Sequence, residues 1–433
     1  MTTTATPSPS GSASEQARAA VDPRTVDFFR DRAVQDDPYA YFATLRSLSP
    51  VWQEPHHGVY MVTGYEEALA VYNDAVHFSS CNTVSGPFKS FSVPLEGDDV
   101  SDIIDRHRDE LPFSDQLPSF DPPRHTEHRR LLMRLLTPQR LRANEEFMWR
   151  QADRYLDPLL ASRAGEFISA YAEPFTLTVI ADLEGVPEAD HDTFRQRLSA
   201  LPGQLAHKPL EFLYEQFTDY IEQRRQSPSD DIMTAMATAT FSDGSLPSVR
   251  DVALLAANLF AGGQETTVRL LSFALRLIAE RPDVQQQLRD DRSRIPNFIE
   301  ETLRFESPLR SQFRMARTTV SVGGVRIPAG STVMLLPGAA NRDPRMFPDP
   351  DVFDLARPNA RLHVAFGHGI HHCAGAHLAR AEGRVTVNRV LDRTSAIGIS
   401  EADHGPAGAR QYHYLPTYFL RGLQRLTLEF TPA

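Results

Sequence analysis

Cys373 stands in a loop that could do chemistry: Phe366-Gly367-His368-Gly369-Ile370-His371-His372-Cys373-Ala374-Gly375, just ahead of a helix marked by Leu378, Ala379, Ala381, Val385 and Val387. Gly367, Gly369 and Gly375 allow dihedrals and close approaches that other residues resist. Backbone N–H groups and a helix N-terminus directed at a sulfur favour its thiolate. A free cysteine is usually a small buried hydrophobe. The density of Phe, Gly and His around this one argues against that packing role, and a thiolate held this way is chemically able to ligate a metal such as iron.

Three further groupings carry chemically useful side chains. Ala261-Gly262-Gly263-Gln264-Glu265-Thr266-Thr267 sets a carboxyl beside hydroxyls after two glycines. Each glycine costs a helix about 1 kcal/mol relative to alanine, which suggests something packed closely against it, or a bend. Glu301 and Arg304, at i and i+3, share one helix face. In Asp121-Pro122-Pro123-Arg124-His125-Thr126-Glu127-His128-Arg129, His125 and Arg129 project from one side of the first helical turns.

Elements must place these groups. Asp37 reads as an N-cap with Pro38 opening a helix through Leu48. Val51-Trp52-Gln53 and Val59 to Val62 read as a hairpin around His56-His57-Gly58. Residues 79 to 120 read as a long irregular, functional or mobile segment, and 124 to 245 as mostly helical. Pro202-Gly203 and Pro209 break the helices there and mark a possible lid. The longest helix is expected over 249 to 280, with Ser248 and Asp251 as a variant capping box and Arg281-Pro282 as its end. It would span roughly 48 Å. Val320 to Ile327 predicts a hairpin with a Gly323-Gly324 turn, Thr332 to Leu336 a strand, and Phe419 to Phe430 strands.

The loop F-G-x-G-x-H-x-C-x-G resembles the haem-binding loop of the cytochrome P450 family at every fixed position. The other groupings follow that family's order, with Arg304 lying 69 residues before Cys373. The resemblance covers nearly the whole chain after residue 25. It implies a mainly α fold, a helical triangular prism with a smaller β-rich lobe and haem between distal and proximal helices. It implies haem b (iron protoporphyrin IX), with Cys373 as proximal axial ligand and Phe366 near the sulfur side of the ring. His125, Arg129, Arg314 and His371 would meet the propionates, and Gly262 would lie against the haem. Glu265 and Thr266 would manage protons, the alcohol bonding the helix backbone or the iron-bound oxygen and opening the helix locally. Glu301, Arg304 and Arg357 would form a buried structural network. The substrate pocket would draw on residues 82 to 95, the segment near Leu201 to Leu205, Asn258, Ala261, Leu309 to Gln312, and Phe419-Leu420. Arg310 would either meet a substrate carboxylate, pair with a propionate or point outward.

The implied reaction is monooxygenation of a small, largely hydrophobic substrate with O2. Electrons would come from a ferredoxin and its reductase, since no flavin or nicotinamide motif is evident. Arg380 and Arg384 would steer that acidic partner. Rival readings are a peroxygenase, oxidative coupling on a carrier-bound substrate, or a haem sensor without turnover; the Glu265-Thr266 pair disfavours the sensor and the peroxygenase. Formal net charge is −11, which argues against nucleic acid. No apolar run reaches the length of a membrane span. Two cysteines suit a reducing cytoplasm. The expectation is a cytoplasmic monomer, with residues 1–25 a disordered Thr/Ser/Pro/Ala tail and 26–433 one domain.

Overall fold

The computed structural model describes residues 22–199 and 207–433. Helices dominate, and the longest, Val249–Glu280, runs through the main core. Its start follows from Ser248, whose hydroxyl accepts the Asp251 N–H at 3.0 Å and donates to the Asp251 carboxylate at 2.6 Å. Its end follows from Pro282, which forces Arg281 out of the helical region and opens the next helix, Pro282–Asp290. Phe260, Phe273 and Leu275 of the long helix are buried with Phe175, Leu156 and Val387 from three other helices. Those three are Glu173–Glu184, Pro138–Ser162 and Ala376–Arg393, and each packs directly on a neighbour in this core.

A five-stranded sheet sits apart, in the order 51–53, 60–62, 332–335, 312–316, 78–79. The expected hairpin pairs Val51 with Val62 and Gln53 with Tyr60. The strand Thr332–Leu335 pairs parallel to Tyr60–Val62 and antiparallel to Gln312–Ala316. Val51, Val62, Val333 and Leu335 bury one face. The Val320–Ile327 hairpin turns on Gly323 and Gly324, at φ 57° and 80°, the two left-handed residues such a tight turn needs.

Four expectations shift. The helix after Asp37 begins at Tyr39, and Pro38 rather than Asp37 holds the cap position. The segment 79 to 120 contains a helix, Ser101–His107, and short 3-10 turns. At the C-terminus only Thr427–Pro432 is a full strand, because residues 419–426 make just isolated bridges, Leu420 to Leu309 and Leu423 to Tyr414. Pro202 and Gly203 lie outside the described residues, as does the pocket segment 201–205. Helix His207–Gln226 resumes before Pro209, which falls in a first turn where proline is tolerated. The tail expected at 1–25 is described only from Asp22, where Thr25 N–H bonds the Asp22 carbonyl at 3.1 Å.

Candidate functional site

The cysteine loop is a chain of tight turns. Gly367 and Gly369 have φ of 66° and 68°, and a side chain on Gly369 would strike the Tyr72 carbonyl. The Cys373 N–H bonds the Phe366 carbonyl at 2.9 Å. Gly375 is at φ −83°, so its role is not a left-handed turn; it caps helix Ala376–Arg393 and its N–H reaches the Cys373 sulfur. Cys81 is buried, whereas Cys373 is exposed. Desolvation by the surrounding protein raises the Cys373 thiol pKa, against the lowering pull of the Gly375 N–H, Arg129 and Arg380. The Gly375 N–H, Arg129 and Arg380 thus all act on the sulfur in the direction that favours its thiolate, as the loop's sequence leads one to expect. A cation at the sulfur would complete the stabilisation.

Beside the thiol, four donors converge. The rings of His125 and His371 are 4.2 Å apart. His371 Nε2 bonds the Ser80 hydroxyl at 3.0 Å, and Arg129 donates to the His372 carbonyl at 2.6 Å. Arg314, on the strand Gln312–Ala316, is buried and donates to the Thr83 hydroxyl at 2.8 Å and the Phe313 carbonyl at 2.7 Å. The nearby carboxylate, Asp121, is already engaged by Arg317 at 2.8 Å, Arg108 at 3.3 Å and the Ser80 N–H at 2.8 Å. Burial and then the charge of Arg129 bring His125 down to about 4. Burial and then Arg314 bring His371 down to about 2. His125 Nε2 is buried without a hydrogen-bond partner. Donors this crowded, with no carboxylate of their own, suit an anionic ligand.

On the long helix the two glycines do different work. A Cβ on Gly263 would come within 3.2 Å of Ile180 Cδ1, so Gly263 serves packing against helix Glu173–Glu184. A Cβ on Gly262 would meet nothing within 4 Å. Thr266 Oγ1 donates to the Gly262 carbonyl at 2.8 Å. The helix remains continuous through this point, so the expected local opening is not present. Next along, Thr267 bonds Glu382 of helix Ala376–Arg393, tying the long helix to the element that follows the cysteine.

Comparison with known proteins decides the family. A family model described as Cytochrome P450 matches residues 194–397. Cytochrome P450 144 of Mycobacterium tuberculosis is 32% identical over 423 residues, covering 93% of this chain and 90% of that one. The chain belongs to the cytochrome P450 family. It is also 32% identical to 6-deoxyerythronolide B hydroxylase of Saccharopolyspora erythraea, over 87% of this chain and 93% of that one. The solved structure of Mycobacterium marinum cytochrome P450 CYP150A6, in the substrate-free form, is 53% identical, with a TM-score of 0.91 over 95% of this chain and 99% of that one. As a P450 the protein is a haem monooxygenase, and the fold class read from sequence holds.

The P450 also has the expected charged network. Glu301 and Arg304 are both 0% exposed and bond in bidentate fashion at 2.6 and 2.7 Å. Arg357 reaches Glu301 at 3.0 Å. Arg304 donates to the carbonyls of Asn341, Pro350 and Val352, and Arg357 to those of Pro348, Asp349 and Val352. The network thus pins the irregular segment leading to the cysteine loop. Phe366 lies under the Arg380 guanidinium, 4.6 Å from its ring centre.

Other anticipated residues are placed less simply. Glu265 pairs with Arg269 at 2.6 Å. Asn258 bonds its own helix at the Leu254 carbonyl, 2.7 Å away, and it and Ala261 are half-buried. Phe419 and Leu420 are half-buried. Arg310 is 2% exposed, and none of its guanidinium nitrogens has a hydrogen-bond partner. The Leu309–Leu420 bridge puts Arg310 on the face shared by Phe419 and Arg421, opposite Leu309 and Leu420. Ser80 and Arg269 were not anticipated, and Thr83, within the segment 82 to 95 expected at the pocket, bonds Arg314. Only Arg269 left a local signal, its i+4 spacing from Glu265.

Proposed function

We propose that this P450 inserts one oxygen atom from O2 into a small, largely hydrophobic organic substrate, by hydroxylation or epoxidation. One observation carries the assignment of the haem site: Arg129 joins the Cys373 thiol to the crowded His125 and His371. That residue bonds the carbonyl beside Cys373 and bears electrostatically on the sulfur, on His125 and on His371. Such a set suits a ligand with a cationic centre and two carboxylates, which is haem b. Cys373 would be the axial ligand, His125, Arg129, Arg314 and His371 the propionate partners, and Phe366 and Gly262 would flank the ring.

When bound, haem supplies oxygen activation with electrons from outside; the protein supplies binding, orientation and electrostatics. Thr266 spends its proton on the Gly262 carbonyl, so its oxygen lone pairs stay open to accept a hydrogen bond. Glu265 beside it is positioned to pass protons between bulk water and the Thr266 side. Half-buried Asn258, Ala261, Phe419 and Leu420 would contribute to the pocket lining.

Electrons would arrive from a ferredoxin and its reductase, with the enzyme a cytoplasmic monomer. A groove of about 450 Å³ is lined by apolar Leu136, Leu141 and Ile299, by Arg142, Arg361, Arg380 and Arg384, and by Glu145 and Glu300. Arg380 bonds Glu300 at 2.6 Å and Arg384 bonds Glu145 at 2.6 Å, which fixes both cations in place. Charge reversal at Arg380 and Arg384 should slow reduction by an acidic ferredoxin; unchanged rates would remove this docking surface.

The decisive measurement is the absorption spectrum of the reduced, CO-bound protein. Thiolate ligation gives a red-shifted Soret band that Cys373→Ser abolishes. Freshly prepared, haem-loaded protein without that band would overturn the assignment. A spin-shift screen across fatty acids, terpenoids, steroids and aromatic compounds then identifies the substrate class.

A further inference from the structure

Glu265 does not hang free from the long helix. Its carboxylate is 53% exposed, yet it is gripped at 2.6 Å by Arg269, which is 6% exposed. Arg269 is itself clamped. Its other terminal nitrogen donates to the Leu423 carbonyl at 3.1 Å, 154 residues away. Gly422 presses on its stem: any Cβ there would run into the Arg269 side chain. The buried arm therefore packs against the Gly422 backbone, with one terminal nitrogen on the Leu423 carbonyl and the other on Glu265. Glu173, on the neighbouring helix, is near enough to feel both charges, and burial raises its carboxyl pKa.

A surface i,i+4 pair normally contributes a few tenths of a kcal/mol and wanders among rotamers. This one is different because one partner is buried and fixed at both ends, so the mobile carboxylate inherits a fixed location. From the geometry we infer that Arg269, locked by Gly422 and Leu423, is a positioning residue that fixes the Glu265 carboxylate at the solvent edge, one residue from Thr266. The inference rests on the proton role proposed for Glu265. A proton that Glu265 takes from bulk water and gives up on the Thr266 side leaves the carboxylate as it began. What Arg269 controls is where the proton is collected and from which direction it is passed.

The test uses the haem-loaded protein with a substrate from the spin-shift screen. Arg269→Leu should lower turnover about 10- to 100-fold, the range of a misplaced general acid. It should raise the solvent deuterium isotope effect and leave the substrate Kd unchanged. Gly422→Ala keeps the Arg269 charge but displaces its arm, and should reproduce the effect in weaker form. It also guards against simple misfolding of the leucine variant. In the resting protein, the infrared carboxylate band that disappears in Glu265→Gln should shift in both variants. In a Glu265→Gln background, Arg269→Leu should cost nothing further. If it costs as much there as in the wild type, Arg269 merely ties the C-terminal segment to the helix and the inference falls. If Glu265→Gln alone turns over like the wild type, the Glu265 reading fails, and that result is recognisable without any Arg269 variant.

Discussion

The imidazole rings of His125 and His371 lie 4.2 Å apart and tilted by 51°, although no carboxylate is left free beside them. Both are held neutral, at about 4 and about 2, mainly by burial and by neighbouring arginines. In the unfolded chain they titrate near 6.5. Between that value and the folded ones the unfolded state binds more protons, so stability is full above pH 6.5 and falls as pH drops. For His125 the loss by pH 4 is roughly 3 kcal/mol. Haem-free protein should show a Tm that declines from pH 7 to pH 4, and His125→Asn should flatten that decline. A decline of the same size in the variant would show that other groups cause it.

Glu301 is the hub of a site with no solvent. Arg304 and Arg357 both depend on it, and the Asp354 N–H donates to it at 2.9 Å. Removing the carboxylate leaves two buried guanidinium groups without their counter-charge, a loss of about 3–5 kcal/mol. Glu301→Ala should therefore show a Tm lowered by many degrees, or no soluble protein at all. Glu300 offers a control on the same turn, being nearly as buried but facing His363 and Arg380. A Glu301→Ala variant with wild-type Tm would mean the arginines find other acceptors.

The legibility of these sites in the sequence tracked the range of the contacts. Ser248 and Asp251, or Glu301 and Arg304, lie within one helical turn, so their spacing alone announced the contact. Glu265 and Arg269 had the same kind of spacing, but its meaning depends on Leu423 and Gly422, which local pattern cannot bring near. The support of His371 by Ser80 and of Arg314 by Thr83 spans 291 and 231 residues. The C-terminal segment misled for a related reason: Phe419 and Leu420 have strand-like side chains, yet their neighbours permit only isolated bridges. Intrinsic strand preference is weak against such context.

Gly262, Gly263 and Gly369 should respond differently to alanine. At Gly262 nothing opposes a methyl group, so Gly262→Ala should keep or raise Tm, by up to about 1 kcal/mol of helix propensity. If this residue borders the haem, the variant should instead alter the spin state and weaken substrate binding. At Gly263 the methyl meets Ile180, and a modest loss of Tm is expected. Gly369→Ala combines a left-handed backbone with a collision at the Tyr72 carbonyl. It should cut haem incorporation most. Haem-to-protein ratio and Tm, measured together, separate the three, and equal behaviour of Gly262→Ala and Gly263→Ala would contradict the division of roles.

Arg310 raises the opposite question, since its charge is buried without a partner. Its pKa is brought down to about 10, first by burial and then by the charge of Arg421, so it remains protonated at neutral pH. The carboxylate that acts on it, Asp36, is paired with Arg32 at 3.0 Å, and Glu306 is held by Arg421 at 2.7 Å and Arg276 at 2.8 Å. An unmet guanidinium costs on the order of 1–3 kcal/mol even after relaxation. Arg310→Met, which keeps the stem and drops the charge, should therefore raise Tm. A lowered Tm would show that the guanidinium is satisfied in solution. Ligands then distinguish what satisfies it. A carboxylic acid that stabilises the wild type but not Arg310→Met, while its methyl ester stabilises both equally, identifies the guanidinium as an anchor for an acidic substrate. Equal stabilisation of both proteins by the acid assigns Arg310 to the scaffold, on the face where Arg421 and Phe419 already lie.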